Sequence, residues 1–196
     1  DYDAGNVKSV QNALKKLGFE AEITSDIETI ENADKVIFPG VGEASSAMKK
    51  LQERGLDAVI PNLKQPVLGI CLGMQLMCNA SEEGNTKALG IFDCEVKLFP
   101  NSDIVPHMGW NNVSEMKGKL LENISDTDNF YFVHSYYAEI GENTSSVCDY
   151  ITPFSATLEK DNFYAAQFHP EKSGDTGFKL LENFLEVRST RLEVRS

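Results

Sequence analysis

An uninterrupted apolar run that ends at a cysteine between two glycines constrains this fold more than any other feature. Residues 67–70 are apolar without alternation, which is typical of a strand covered on both faces. The pattern G-x-C-x-G follows around Cys71, and a helical pattern begins at Leu72. Flanking glycines leave room for a sharp strand-to-helix turn. The segment therefore predicts an elbow that presents Cys71 above the edge of a sheet.

Strand and helix patterns alternate on both sides of this elbow. Helices are predicted over residues 6–18, 44–55 and 72–84, and around the apolar positions of 178–185. Strands are predicted over residues 19–24, 35–38, 67–70, 94–99, 130–133 and 163–168. The first half favours right-handed βαβ units and the second adds antiparallel strands. We expect an α/β fold, in which one domain over residues 1–187 has a mixed sheet flanked by helices, and a tail over 188–196 that repeats LEVRS.

Composition narrows the class of protein. The chain has 196 residues, 41% of them hydrophobic, which is enough for the core of one domain. Its net charge of −12 argues against nucleic-acid or anionic membrane partners, and no apolar run has the roughly 20 residues that span a bilayer. The four cysteines form no C-x-x-C pair and the three histidines do not cluster with them. We therefore expect a cytoplasmic protein without a metal or another cofactor.

The position of Cys71 suits a nucleophile. At the start of a helix, unpaired N–H groups and the helix dipole favour a thiolate. A small buried side chain at the end of a core strand is the alternative interpretation, because free cysteines are often buried.

His169 and Glu171 are candidates for a base and its orienting carboxylate. Pro170 biases His169 toward an extended conformation, in which residues two apart share a face and Glu171 can reach the imidazole. A nucleophile, a base and an orienting group form a catalytic triad. A surface His-Pro-Glu turn is an equally good reading of these residues alone.

An oxyanion hole would complete such a site. The sequence Pro-Gly-Val-Gly at 39–42 follows a predicted strand, and its glycines allow a backbone N–H, that of Val41, to face a substrate. The N–H of Leu72, directly after the cysteine, would be the second donor. An ordinary strand-to-helix turn explains Pro-Gly-x-Gly as well.

Together, G-I-C-L-G-M-Q, P-G-V-G and F-H-P-E-K-S-G resemble the class I, triad-type glutamine amidotransferases. The finer motifs Y-x-A-G-N, H-M-G-W-N and V-H-S-Y resemble the branch that forms glutaminase subunits of imidazole glycerol phosphate synthases, in histidine biosynthesis. The resemblance runs from Tyr2 to about Leu185.

The resemblance implies that Cys71 attacks the side-chain amide of glutamine, with His169 and Glu171 completing the triad and Val41 and Leu72 donating to the oxyanion. Ammonia would pass to a (β/α)8-barrel cyclase subunit, which makes imidazole glycerol phosphate and aminoimidazole carboxamide ribotide. The implied glutamine-binding positions are Gly42, Gln75, Glu83, Ser135 and Tyr136. The implied positions at the interface with the cyclase are Asn6, Trp110, Tyr131 and Lys172.

Other readings of these residues stay open at this stage. Trp110 and Tyr131 would also suit the core, Lys172 a solvated charge, and Glu83 an acidic helix end shared with Glu82. A sibling glutaminase, of anthranilate or aminodeoxychorismate synthase, would share the triad but lack H-M-G-W-N. A cysteine hydrolase or a non-catalytic relative is a further class. We also expect a short apolar segment upstream of Asp1, because a doubly wound domain usually opens on a strand.

Overall fold

The computed structural model describes residues 7–40 and 42–188 of the chain. Within these ranges the α-helices are α1 Val7–Lys16, α2 Ile27–Asn32, α3 Ala44–Glu53, α4 Leu56–Val59, α5 Leu72–Leu76 and α6 Gly174–Glu186. The first strands are β1 Val36–Gly40, β2 Val67–Cys71, β3 Ala80–Ser81, β4 Thr86–Lys87, β5 Glu95–Leu98 and β6 His107–Asn112. The remaining strands are β7 Asn129–His134, β8 Tyr136–Ala138, β9 Thr144–Asp149, β10 Pro153–Lys160 and β11 Phe163–Ala166. Short 3-10 turns cover Ile60–Asn62, Glu83–Asn85 and Pro170–Lys172.

A mixed five-stranded sheet forms the centre of the molecule, in the order β1-β2-β11-β10-β9. Strand β2 pairs in parallel with both β1 and β11, whereas β10 pairs antiparallel with β11 and β9. All five residues of β2 are buried, as the apolar run at 67–70 predicts. The expectation of an α/β fold with a mixed sheet flanked by helices is confirmed.

Two apolar clusters fill the space on the two sides of this sheet. One contains side chains of α1 and α6, with Leu14, Leu68 and Phe184 among its buried members. The other contains side chains of α3 and α5, including Met48 and Met74. Packed side chains therefore cover both faces of β2, the strand that ends at Cys71. None of the described helices is long and apolar enough to cross a membrane.

The predicted strand at residues 19–24 is wrong. This segment has no regular secondary structure, and Phe19 is half exposed. It borders a cavity of about 690 Å³ that is also lined by residues of β1. Without a strand hydrogen-bonded to it in the described part of the chain, its apolar residues pack but form no ladder.

The helix predicted over 72–84 is also wrong in its extent, because α5 ends at Leu76. The N–H of Asn79 donates to the carbonyl of Cys94 at 2.9 Å, and β3 pairs with β4 and β5. Tertiary hydrogen bonds thus replace the helical ones that the sequence pattern would support.

Candidate functional site

Cys71 occupies a strained turn between β2 and α5. Its backbone has φ 54° and ψ −111°, a conformation that few residues other than glycine adopt. Such strain persists only where the surrounding structure enforces it, and here the buried strand before it and the buried helix after it do so. The thiol consequently projects from the carboxyl end of the sheet into a cavity, as the elbow pattern predicts.

The structure brings His169 and Glu171 together next to this thiol. His169 Nδ1 lies 2.8 Å from Glu171 Oε1, and both side chains are almost completely buried. Burial lowers the pKa of His169, but hydrogen bonds to Cys71 and Glu171 and their negative charges outweigh it and raise this pKa to about 9. An imidazole in this setting holds a proton at neutral pH and can both take one from sulfur and return one to a leaving group.

The local path to Glu171 differs from the extended one that the sequence predicts. His169 itself is extended, with φ −101° and ψ 96°, but Pro170–Lys172 forms a 3-10 turn. Proline suits the first position of such a turn because its φ is already fixed and its missing N–H has no partner to lose. The turn, rather than a shared strand face, brings the carboxylate back to the imidazole.

Backbone contacts fix the position of this turn. The N–H of His169 donates to the carbonyl of Tyr131 at 2.9 Å. The Ser173 hydroxyl donates to the His169 carbonyl at 2.6 Å and accepts from the Tyr131 N–H at 2.9 Å. Glu171 Oε2 is buried with no hydrogen-bond partner in the described ranges. The backbone of His169 is therefore fixed by β7 and by Ser173, the residue directly before α6.

A cavity of about 380 Å³ opens over Cys71. Its lining includes all five residues that the sequence analysis assigns to glutamine binding, which are Gly42, Gln75, Glu83, Ser135 and Tyr136. Cys71, Leu72 and His169 line it as well. A cavity of this size, lined by the Cys71 thiol and by carboxylate and amide groups, suits a small polar molecule.

Glu83 is anchored by the start of α3. The Ala44 N–H donates to Glu83 Oε2 at 2.8 Å. Burial raises the pKa of Glu83, the bond from Ala44 opposes this rise, and the nearby Glu43 adds to it. Glu82 instead bonds the N–H of Leu98 at 2.8 Å and is exposed, so it is Glu83 that faces the cavity.

Buried histidines and an amide fix the cavity wall at Tyr136. Gln75 Nε2 lies 2.8 Å from the Tyr136 carbonyl, and His134 Nδ1 lies 2.8 Å from the same oxygen. A carbonyl only accepts, so His134 carries its proton on Nδ1, and its Nε2 accepts from His107 Nδ1 at 3.1 Å. Burial lowers the pKa of His134 to about 3 and that of His107 to about 4, so both rings are neutral.

Of the two predicted oxyanion donors, Leu72 lies within the described residues. Leu72 is the first residue of α5, where backbone N–H groups have no partner within the helix, and it borders the cavity. Val41 lies outside the described residues. Its neighbour Gly42 has φ 99°, which the missing Cβ permits, and lines the cavity.

Two of the predicted interface residues, Trp110 and Tyr131, form an aromatic pair. Trp110 is 59% exposed, and its ring meets that of the half-buried Tyr131 edge-on at 5.8 Å across the β6–β7 pair. Lys172 is exposed at the rim of the cavity. Asn6 lies outside the described residues. Trp110 is thus a surface residue rather than part of the core.

Gln167 is a site residue that the sequence analysis does not single out. Gln167 is completely buried, and its Nε2 lies 3.8 Å from Cys71 Sγ. The signal that could have identified Gln167 is its polar amide within the otherwise apolar strand pattern just before His169. Among the described residues, no group of histidine, cysteine and carboxylate side chains is arranged to hold a metal ion.

Comparison with known proteins agrees with this geometry. The model of the family "Glutamine amidotransferase class-I" matches residues 1–187. The chain therefore belongs to the class-I glutamine amidotransferase family. Within that family it is 58% identical, over 189 residues, to imidazole glycerol phosphate synthase subunit HisH of Bacteroides fragilis strain YCH46, with 95% of this chain and 96% of that protein covered.

More distant relatives extend the comparison. The chain is 45% identical over 195 residues to imidazole glycerol phosphate synthase subunit HisH of Vibrio parahaemolyticus, with 95% and 96% of the two chains covered. A crystal structure of a glutamine amidotransferase matches with a TM-score of 0.71 and 21% identity, over 93% of this chain and 94% of that one. A glutamine amidotransferase of Thermotoga maritima matches with a TM-score of 0.59 and 16% identity, over 94% and 77%. These two structures establish the shared fold.

Proposed function

We propose that this chain is the glutaminase subunit of an imidazole glycerol phosphate synthase and acts in histidine biosynthesis in the cytoplasm. The observation that carries the proposal is that Cys71 and His169 line one cavity, with Glu171 hydrogen-bonded to His169. The high identity to HisH subunits over nearly the full length of both chains supports the choice of synthase.

The first half of the reaction forms a thioester and frees ammonia. Cys71 Sγ, its proton held by His169, attacks the side-chain carbonyl carbon of glutamine. The Leu72 N–H, together with that of Val41, stabilises the oxyanion. His169 then gives the proton to the amide nitrogen, the carbon–nitrogen bond breaks, and ammonia leaves. The raised pKa of His169, about 9, supports its role as the proton donor.

The second half hydrolyses the thioester. Water attacks the carbonyl carbon while His169 accepts its proton, the carbon–sulfur bond breaks, and glutamate leaves as the thiol is restored. Glu171 stabilises the charged imidazole at each stage through its 2.8 Å hydrogen bond to Nδ1. No other reactant or cofactor is needed for this balance.

Glutamine recognition is assigned to the cavity wall. Glu83 would pair with the α-ammonium group, since its carboxylate faces the cavity and has one oxygen already fixed by the Ala44 N–H. Gly42, Gln75, Ser135 and Tyr136 would contact the rest of the substrate. The shared lining of one cavity by these residues supports the assignment.

The partner is a (β/α)8-barrel cyclase subunit that receives the ammonia. An exposed apolar surface formed by Ile104, Met108 and Trp110, with exposed fractions of 75%, 63% and 59%, supports a docking face at β6. Trp110, Tyr131 and Lys172 would form part of this face, together with Asn6. Because Tyr131 also bonds His169, docking there would act close to the triad.

Glutaminase assays with and without the barrel cyclase and its nucleotide substrate test the proposal. We expect low activity of the chain alone and strong stimulation in the complex. Cys71→Ala should abolish glutamine-dependent synthesis but retain ammonia-dependent synthesis, whereas Cys148→Ala, at a buried cysteine outside the cavity, should retain both. High activity alone, or stimulation by a chorismate-using enzyme instead, would contradict the choice of synthase.

A further inference from the structure

Gln167 lies beside the nucleophile because of the strand register. Strand β11 is parallel to β2, and Ala166 lies opposite Ile70. The next residues along the two segments are Gln167, directly after β11, and Cys71, the last residue of β2, and their side chains are in contact. Gln167 is completely buried, and its Nε2 is 3.8 Å from Cys71 Sγ.

A chain of hydrogen bonds fixes which end of the amide faces the sulfur. The Tyr136 carbonyl can only accept, so the atom of Gln75 that lies 2.8 Å from it is the nitrogen Nε2. The same nitrogen lies 3.0 Å from the side chain of Gln167, and a nitrogen donor requires oxygen there. Gln167 therefore presents Oε1 to Gln75 and its NH2 group to Cys71.

We propose that Gln167 donates a hydrogen bond to the sulfur of Cys71 and stabilises its thiolate, while Gln75 and the Tyr136 carbonyl hold the amide in this orientation. This role of Gln167 rests on the proposed function only in that both concern Cys71. A hydrogen bond to a charged group is stronger than one between neutral groups, and a buried position strengthens it further. The thiolate thus has a neutral donor in addition to the charged His169.

Other ionisable and polar groups also lie near the sulfur of Cys71. The ionisable side chains that line the cavity or stand directly behind it are Glu83, His134, Tyr136, His169, Glu171 and Lys172. His134 is neutral, because burial holds its pKa at about 3. The Val133 carbonyl lies 4.0 Å from Sγ and can only accept, so it gives no stabilisation to an anion. Side-chain hydrogen bonds to the sulfur thus come from Gln167 and His169.

The test is the rate at which iodoacetamide alkylates Cys71 as a function of pH, with the labelled peptide quantified by mass spectrometry on the full chain. Gln167→Met keeps the length of the side chain but has no N–H. We expect the pH of half-maximal rate to rise by about one unit while the plateau at high pH is retained, which is a tenfold loss of thiolate below the midpoint.

Gln65→Met is the matched control. Gln65 is also buried, at 3% exposure, but its Nε2 donates to the Ile30 carbonyl at 2.7 Å and it does not border the cavity of Cys71. This variant should leave the alkylation profile unchanged. An unchanged profile in folded Gln167→Met, or an equal shift in Gln65→Met, would overturn the proposal.

Gln167→Glu gives a second test if the methionine variant does not fold. It retains an oxygen for Gln75 but replaces the donor with a negative charge, so the midpoint should rise by more than one unit; an unchanged or lower midpoint contradicts the role of Gln167. Alkylation requires neither glutamine nor the cyclase. A shifted profile in a chain that shows no glutaminase activity even with the barrel cyclase and its nucleotide would therefore refute the proposed function and leave the role of Gln167 intact.

Discussion

Gly73 lies so close to Phe38 that no side chain fits between them. A Cβ built on Gly73 would come 1.8 Å from the Phe38 carbonyl oxygen and 2.9 Å from its carbonyl carbon. Gly73 is in α5 and Phe38 in β1, so this contact sets the distance between the helix that follows Cys71 and the neighbouring strand. The second glycine of the G-x-C-x-G pattern is thus required by helix–strand packing.

Gly73→Ala should accordingly destabilise the protein by more than about 3 kcal/mol, because the clash is with backbone that cannot move independently. Gly141→Ala is the matched control, since its Cβ would meet atoms no closer than 3.5 Å, and its unfolding free energy should change by less than about 1 kcal/mol. Urea titrations of both variants measure the difference. Equal stability of the two variants would show that α5 can shift away from β1.

Glu171→Gln should lower the pKa of His169 from about 9, because the carboxylate charge that opposes the effect of burial is lost. NMR titration of ¹⁵N-labelled histidine measures this pKa directly. Partner-stimulated glutaminase activity should fall by about 10²- to 10⁴-fold. The exposed carboxylate of Glu182, on α6, offers the control Glu182→Gln, which should change neither quantity. An unaltered His169 titration in Glu171→Gln would mean that the pair is not coupled.

The same titration has a consequence for stability at alkaline pH. The folded pKa of His169 lies above the unfolded value of 6.5, so the folded state binds the proton more tightly. Its contribution is fully present below pH 6.5 and is lost as the pH rises through about 9. In Glu171→Gln this alkaline loss should be smaller, which pH-dependent urea titrations would detect.

Acid should destabilise the fold through His134 and His107. Unfolded imidazoles take up a proton near pH 6.5, whereas the folded ones remain neutral down to about pH 3 and 4. The unfolded state therefore binds more protons below pH 6.5, and the unfolding free energy should fall by about 1.4 kcal/mol per pH unit for each such histidine. His134→Asn retains a donor for the Tyr136 carbonyl but cannot titrate, so its acid slope should be shallower. Identical slopes would contradict this assignment.

Trp110→Ala should weaken binding of the cyclase by roughly 30-fold, the effect of about 2 kcal/mol that is typical of a central aromatic at an interface. Its own stability should change little, because Trp110 is 59% exposed. Ile140→Ala removes an apolar side chain of similar exposure, 51%, outside β6 and should not affect binding. Calorimetric titration measures both. Equal effects of the two substitutions would place the docking surface elsewhere.

Apolar runs and elbow motifs identify the parts of the fold that bury the most hydrocarbon. The run at residues 67–70 predicts β2, and the apolar face around Met48 predicts α3, because burial on one or both faces leaves a clear periodicity. The sequence also predicts strands that end just before Cys71 and His169, and the structure pairs these two strands side by side. These features depend on local pattern, which a single sequence contains.

Strands β9 and β10 are not among the predicted strands, and one of the buried faces of β10 is polar. Ser145 and Thr157 pair their hydroxyls at 2.7 Å, as do Thr144 and Ser155 at 2.8 Å, so hydrogen bonds satisfy the polar face. The apolar residues Phe154, Ala156 and Leu158 of β10 alternate with Ser155 and Thr157 and are buried as well. The end of α5 and the role of Gln167 depend on partners distant in the chain. Periodicity cannot reveal such contacts, and only the assembled sheet brings them together.

The parallel pairing of β1, β2 and β11 has a consequence for how this protein tolerates change. Gly40 lies opposite Cys71, and Ala166 lies opposite Ile70. The residues of the site therefore lie at the ends of three neighbouring strands, at one edge of the sheet. Inserting a single residue into β11 would turn Gln167 and His169 to the opposite face of the sheet. One-residue insertions or deletions in these strands should therefore damage the site more than most substitutions there. Related sequences should contain few such insertions or deletions.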